Sequence, residues 1–285
     1  MTTVYLNGEF MPIEEARVPV MDRGFLFGDG IYEVIPVYSR RPFRLREHLQ
    51  RMQASLDAIR LTNPHDAAQW TILIERIIAA TTFEDQSVYL QITRGVDSRR
   101  SHAFPTQPRP TVFLMTEHLT VPSLQQREQG ITAVSAIDNR WLRCDIKSIS
   151  LLANILLRQL AVDTGSIETV LFRDGILTEG AASNIFAIKD GVLLAPNKSQ
   201  LMLPGITYDV ILELAATHGL ARQQRDISQA EAGKVDELWM TSSTKEVLPI
   251  VSLDGQSVGA GKPGPAFAAM YGWYQDFKQT VKRND

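Results

Sequence analysis

Lys147 is a candidate covalent catalyst, because it ends a polar segment just before an apolar, helix-like stretch. A lysine amine condenses with aldehydes, and burial or a neighbouring cation can lower its pKa toward neutrality. Most lysines, however, are solvated surface charges. The segment RWLRCDIKS at 140–148 is therefore not diagnostic by itself.

Three further segments carry groups that could hold a ligand. Glu179 lies between two apolar runs, and a glycine beside it would let a ligand approach the backbone. Leu203-Pro204-Gly205-Ile206-Thr207 opens a predicted helix, whose free N–H groups suit a phosphate. Ser243 and Thr244 follow an apolar strand and offer hydroxyls. Each segment could also be an ordinary turn or helix cap. Together with the lysine they supply an amine, an acid and two phosphate-binding loops, which is the set needed to hold pyridoxal 5′-phosphate (PLP).

In this order, the four segments resemble the fold type IV family of PLP-dependent enzymes. That family contains D-amino-acid aminotransferases, branched-chain aminotransferases and aminodeoxychorismate lyases. The resemblance extends from Asp22-Arg23-Gly24 and the FGDGIYE stretch at 27–33 to about Pro249. FGDGIYE and WLRCDIKS are most similar to D-amino-acid aminotransferases.

The resemblance implies a role for each candidate. Lys147 would form a Schiff base with PLP and later move a proton, and Glu179 would pair with the ring nitrogen. Leu203 would pack against the ring face. The implied phosphate ligands are Arg51, Ile206, Thr207, Ser243 and Thr244.

The segment Arg99-Arg100-Ser101-His102 indicates the substrate class. It resembles the carboxylate-binding Arg-x-His of D-amino-acid aminotransferases, which makes Arg100, His102 and Tyr32 the predicted substrate ligands. In that family this pair reaches the active site of the neighbouring subunit, which implies a homodimer. By itself the segment would indicate a polar loop with exposed arginines.

These features predict ping-pong transamination, for example from D-alanine to 2-oxoglutarate. Departures from the D-amino-acid pattern leave alternatives open: Ala181-Ala182 replaces expected serines, and Tyr208 replaces a common arginine. The alternatives are an L-branched-chain or amine transaminase, aminodeoxychorismate lyase, and a non-catalytic PLP-binding protein. Retention of both Lys147 and Glu179 argues against the last.

Alternating helical and strand patterns must position these residues. Asn7-Gly8 between apolar residues predicts a hairpin, and apolar spacing predicts helices over 44–59, 67–80 and 149–163. Short strands with Asp-Gly turns dominate the second half of the chain. The prediction is a mixed α/β (α+β) protein with an α/β domain at 1–117, a linker at 118–130 and a larger, strand-rich PLP-binding domain at 131–285.

Composition excludes several functional classes. The chain has 285 residues, 44% of them hydrophobic, and a formal net charge of −3 without basic clusters, so no nucleic-acid partner is expected. No metal site is expected, because the five histidines lack ligand spacing. One cysteine, Cys144, and the absence of a long apolar segment predict a cytoplasmic protein with no membrane association.

Overall fold

The computed structural model describes residues 2–283 as two compact units. Unit 1 comprises residues 1–119 with 146–151, and unit 2 comprises 120–145 with 152–285. The segment around Lys147 thus belongs to unit 1, whereas the sequence prediction assigned it to the C-terminal domain. The predicted linker at 118–130 contains a short helix, because Ser123 and Gln126 form a capping box at its start.

Unit 1 is an antiparallel sheet covered by helices, and its strands follow the order β2-β1-β6-β5-β3-β4 in the described part of the chain. Its elements are β1 (Thr3–Leu6), β2 (Glu9–Pro12), α1 (Arg23–Phe27), β3 (Gly30–Tyr38), β4 (Arg41–Pro42), α2 (Leu45–Ala58), α3 (Ala67–Ala79), β5 (Gln86–Thr93) and β6 (Thr111–His118). The predicted hairpin forms at Asn7-Gly8, and both predicted helices form within two residues of their expected bounds.

The core of unit 1 lies between this sheet and helices α2 and α3. Fully buried apolar residues on one face of each helix, such as Leu56 and Ile74, pack against strand residues such as Leu90. This packing follows from the helical and alternating periodicities of the sequence. Ile146, one residue before Lys147, belongs to the same core and anchors the segment that carries the lysine.

Unit 2 contains a larger mixed sheet with the described order β12-β11-β10-β13-β14-β7-β8-β9, in which β15 pairs with β14. Its elements are α4 (Leu124–Gln129), β7 (Ile131–Ile137), α5 (Leu152–Asp163), β8 (Glu168–Arg173), β9 (Ile176–Gly180), β10 (Asn184–Lys189), β11 (Val192–Ala195), α6 (Ile206–Thr217), β12 (Arg222–Gln224), α7 (Gln229–Ala232), β13 (Glu237–Ser242), β14 (Glu246–Leu253), β15 (Gln256–Ser257) and α8 (Pro265–Arg283). The predicted mixed α/β class is confirmed. Residues 2–283 include no helix with the length and hydrophobicity needed to span a bilayer.

Candidate functional site

Lys147 is held by the backbone of unit 1. Its carbonyl accepts a hydrogen bond from Tyr32 N at 3.0 Å, and its own N–H donates to Ser55 Oγ at 3.2 Å. The Lys147 Nζ atom lies 3.9 Å from the centroid of the Tyr32 ring. Among the described residues of unit 1, 2–119 and 146–151, no carboxylate pairs with this ammonium group. The amine is therefore partly shielded from water and is not engaged in a salt bridge within its own unit.

Arg51 lies on α2, one helical turn before Ser55, and so on the same helix face. Its guanidinium donates to both carboxylate oxygens of Glu33, from Nε at 2.8 Å and from Nη2 at 2.7 Å. His48 Nδ1 lies 2.8 Å from the same carboxylate, and all three side chains are buried. Burial alone would raise the pKa of Glu33, but the charge and hydrogen bonds of Arg51 lower it well below its ordinary value. Glu33 thereby fixes the orientation of the predicted phosphate-binding arginine.

The Arg100 and His102 side chains are exposed and gather around one aromatic ring of unit 1. The Arg100 guanidinium carbon lies 5.0 Å from the centroid of Phe27, and the His102 ring lies 5.3 Å from it. A cation and a hydrogen-bond donor are therefore presented together, an arrangement that can bind a carboxylate.

Glu179 is the buried acid of unit 2. Its Oε1 accepts from Arg140 Nη1 at 2.5 Å, and its Oε2 accepts from Leu203 N at 3.1 Å and Asn184 Nδ2 at 3.3 Å. Burial raises the pKa of Glu179 to about 7, although the Arg140 guanidinium opposes this shift. Asp138 in turn accepts hydrogen bonds from Arg140 Nε and Nη2, both at 2.9 Å. Burial raises the pKa of Asp138, but the hydrogen bonds from Arg140 lower it to about 2. Asp138 is therefore ionised at neutral pH and balances the charge of Arg140.

Asn184 connects Glu179 to the predicted phosphate loops. Its side-chain N–H₂ donates to Glu179 and to Leu203 O at 3.0 Å, and it pairs with Thr241 across the β10–β13 ladder. The turn with Ser243 and Thr244 begins two residues after Thr241. A Cβ atom on Gly205, the residue before α6, would press into Asn184 Oδ1. The structure thus brings together the predicted Glu179, Leu203 and α6 start within unit 2.

The N-terminus of α6 has free hydrogen-bonding capacity suited to phosphate. Gly205 provides no side-chain cap, so the N–H groups of Ile206 and Thr207 have no capping partner. A cationic ring near Glu179 would also favour the ionised form of this carboxylate, whose charge is otherwise costly to bury. These two observations fit PLP, which combines a phosphate with a protonatable ring.

Sequence reasoning missed the residues that orient the predicted ones. Glu33 and Arg140 lie inside quoted motifs but were given no role, and Asp138 and His48 were not singled out. The Asp-x-Arg spacing at 138–140 was a usable signal for a local ion pair. Nothing in the sequence indicated that Asn184 bonds to both Glu179 and Leu203, since that contact depends on the fold.

Comparison with solved structures identifies the fold. The chain is similar to the Escherichia coli branched-chain amino acid aminotransferase, with a TM-score of 0.88 and 27% identity over 95% of this chain and 92% of that one. It shares the fold of a Curtobacterium pusillum fold IV-transaminase, with a TM-score of 0.83 and 23% identity over 96% and 99% of the two chains. These neighbours identify the fold as that of the fold type IV aminotransferases.

Residues 30–253 match the family model for amino-transferase class IV, and the chain belongs to this family. Among characterised relatives it is 37% identical to the D-alanine aminotransferase of Bacillus licheniformis, with 92% of each chain covered. The protein is therefore a PLP-dependent aminotransferase.

We predict that Glu179→Gln changes how the stability of the cofactor-free protein depends on pH. The folded-state pKa of about 7 lies above the ordinary carboxyl value of 4.5. The folded state therefore binds the extra proton, and its free energy of unfolding falls as pH rises from about 4.5 to 7. In the wild-type protein the free energy of unfolding should fall by at most roughly 3 kcal/mol over that range, and in Glu179→Gln this contribution should be absent. Urea unfolding of both proteins at pH 5 and pH 8 measures this, and equal pH dependence would contradict the assignment.

We also predict that Gly205→Ala weakens PLP binding about tenfold, because the new methyl group displaces the Asn184 amide. Gly205 has an ordinary φ of −69°, so backbone strain does not contribute. Gly272→Ala is the matched control, since a Cβ there meets no atom within 4 Å. Fluorescence titration of cofactor-free protein with PLP gives both dissociation constants. Equal affinities in the two variants would show that the Asn184 position is unimportant.

Proposed function

We propose that this aminotransferase moves the amino group of a D-amino acid, such as D-alanine, to a 2-oxo acid, such as 2-oxoglutarate. The observation that carries the proposal is the Arg100–His102 pair around Phe27, in a chain 37% identical to D-alanine aminotransferases over 92% of its length. A fixed carboxylate position determines which face of the α-carbon meets the catalytic lysine. Tyr32 is proposed as the third substrate ligand, since it lies under the Lys147 amine.

Lys147 is proposed as the residue that holds PLP covalently and moves the proton. Bound PLP supplies an aldehyde for amines and a protonated ring that accepts an electron pair. The Lys147 amine, once released by the incoming substrate amine, is free to take the α-proton. Its position over the Tyr32 ring and the lack of an ion-pair partner in unit 1 support this role. A lysine locked in a salt bridge would be a poor base.

Glu179 is proposed to face the ring nitrogen and keep it protonated. Its burial and its fixed contacts with Arg140, Asn184 and Leu203 support this role, because they allow the carboxylate little freedom to turn away. Leu203 is proposed to contact the ring. We propose three groups of phosphate ligands: Ile206 and Thr207 at the uncapped start of α6, Ser243 and Thr244 in the β13–β14 turn, and Arg51.

The reaction is proposed to follow ping-pong order. The donor leaves as a 2-oxo acid before the acceptor binds, since both acids require the same carboxylate ligands. Lys147 serves both half-reactions, removing a proton in one and returning it in the other. Arg100 and His102 hold the carboxylate of whichever acid is present.

Two features keep L-branched-chain amino acids, amines and the lyase reaction as alternatives. The similarity in structure to a branched-chain enzyme is high, and Ala181-Ala182 makes its loop less polar than serines would. Tyr208 bears less on the choice, because it is fully buried and donates from its hydroxyl to Pro196 O at 2.7 Å. It is therefore a core residue.

We further propose a homodimer in which Arg100 and His102 act in the active site of the partner. Both side chains are exposed on their own chain, which is expected of groups that serve another subunit. We also propose a cytoplasmic location, since a chain with the single, buried Cys144 forms no intrachain disulfide and requires no oxidising compartment.

A donor panel tests the substrate class. With 2-oxoglutarate as acceptor, D-alanine should form glutamate at least about 100-fold faster than L-alanine, L-leucine or 1-phenylethylamine does. Inverting the α-carbon moves its proton away from Lys147, and the amine has no carboxylate to bind. Chiral chromatography of the glutamate formed compares all four donors, and coupled pyruvate detection follows the two alanine reactions. Conversion of L-leucine in preference to D-alanine would overturn the proposal in favour of a branched-chain enzyme.

Mixing two inactive variants tests the shared site. Lys147→Ala removes the amine, and Arg100→Ala removes the carboxylate ligand. In a mixed dimer, one active site would combine the intact Lys147 of one chain with the intact Arg100 of the other. After co-refolding of equal amounts, about a quarter of wild-type activity should return.

The control is a mixture of Lys147→Ala with Arg99→Ala, a neighbouring exposed arginine. It should show only the activity of the Arg99→Ala chains. If the first mixture forms mixed dimers but stays as inactive as Arg100→Ala alone, Arg100 acts in its own subunit.

A further inference from the structure

The loop that carries Arg100 and His102 has no helix or strand, yet a buried cation ties its backbone to unit 1. Arg23 is 3% exposed. Its Nη1 donates to Ser101 O at 2.6 Å and to Ala103 O at 3.2 Å, and its Nη2 donates to His102 O at 3.3 Å. One guanidinium group thus holds three consecutive carbonyls on the segment between and beside the two proposed carboxylate ligands.

Asp29 fixes this guanidinium from the other side. Its Oδ2 accepts from Arg23 Nε at 2.8 Å and from Arg94 Nε at 2.8 Å, and its Oδ1 accepts from Arg94 Nη2 at 3.0 Å. Arg94 is 1% exposed and is itself anchored, because its Nη2 donates to Ile59 O at 2.8 Å. Its guanidinium carbon lies 3.7 Å from the centroid of the Phe104 ring, two residues after His102 in the same loop.

Phe27 completes the contacts. It is the last residue of α1, one helical turn after Arg23, and its ring centroid lies 5.0 Å from the Arg23 guanidinium carbon. Arg100 and His102 contact the same ring. The side chains of the proposed ligands and the backbone between them are therefore oriented by one element, α1.

We propose that Arg23, held by Asp29, is a positioning residue that sets the affinity of this enzyme for the carboxylate of its amino acid and 2-oxo acid substrates. The proposal rests on the proposed role of Arg100 and His102. The planar guanidinium group of an arginine is needed here, because it donates to three loop carbonyls from its Nη atoms and to the Asp29 carboxylate from Nε. A lysine could supply the charge but not this geometry. A more mobile loop lowers the affinity for the substrate carboxylate and leaves the chemistry at Lys147 unchanged.

Two probes with the same reacting nitrogen separate these effects. Hydroxylamine and aminooxyacetate both react with the bound cofactor and release the Lys147 amine, but only aminooxyacetate carries a carboxylate. We expect Arg23→Lys to lower the ratio of their second-order rate constants, aminooxyacetate over hydroxylamine, about tenfold. The absorbance of the bound cofactor records both rates. Arg99→Lys, an exposed arginine in the same loop, is the matched control and should leave the ratio unchanged.

A second measurement needs no cofactor. In the cofactor-free protein, Arg23→Lys should accelerate hydrogen–deuterium exchange at residues 101–104 and leave the amides of β5 protected, which shows that the sheet is intact. Asp29→Asn serves as the second variant if Arg23→Lys does not fold, and the same changes are expected of it.

Arg100→Ala distinguishes the two levels of the argument. If Arg100→Ala lowers the ratio and Arg23→Lys does not, the positioning role is overturned and the proposed function stands. If Arg100→Ala leaves the ratio unchanged, the proposed carboxylate role fails and the inference falls with it. Equal slowing of both probes by Arg23→Lys would reduce Arg23 to a general folding role and would also overturn the inference.

Discussion

The site in unit 2 depends on the cost of burying a carboxylate. Glu179 is 4% exposed, and removing its charge from water is tolerated only because Arg140 Nη1 lies 2.5 Å away and two further N–H groups donate to it. Arg140 is in turn buried between this acid and Asp138. The result is a carboxylate that keeps one orientation, poised between its charged and neutral forms. A cationic ring beside this carboxylate would favour its ionised form, which is the form that the proposed role of Glu179 requires.

The same physical solution appears in unit 1 with the charges exchanged. There, carboxylates fix the orientation of buried arginines. Glu33 binds Arg51 through both carboxylate oxygens, and Asp29 joins Arg23 to Arg94. Paired hydrogen bonds between planar groups define direction as well as charge. Residues that never contact a substrate can therefore determine how well those that do are placed.

Local patterns predicted much of the fold. The hairpin at Asn7-Gly8 and the helices Leu45–Ala58 and Ala67–Ala79 all form close to their expected bounds. Turn chemistry and apolar periodicity are short-range properties, so they can be read directly from the chain. The short helix Leu124–Gln129 was missed because its polar residues show no apolar face, although Ser123 and Gln126 form a capping box. The placement of residues 146–151 in unit 1 was also missed, because contacts distant in sequence determine it.

The residues alone indicated the family and the chemical groups: a lysine, an acid between apolar runs, a glycine-led helix start, and an arginine and a histidine two residues apart. Those features depend on residue type and local spacing, which can be read directly from the sequence. Which groups orient these residues follows from the folded chain. Asn184 joins Glu179 to Leu203, and Arg23 reaches carbonyls roughly 80 residues away in sequence. These hydrogen bonds join groups that are distant in sequence and become neighbours only on folding, so no local sequence pattern predicts them.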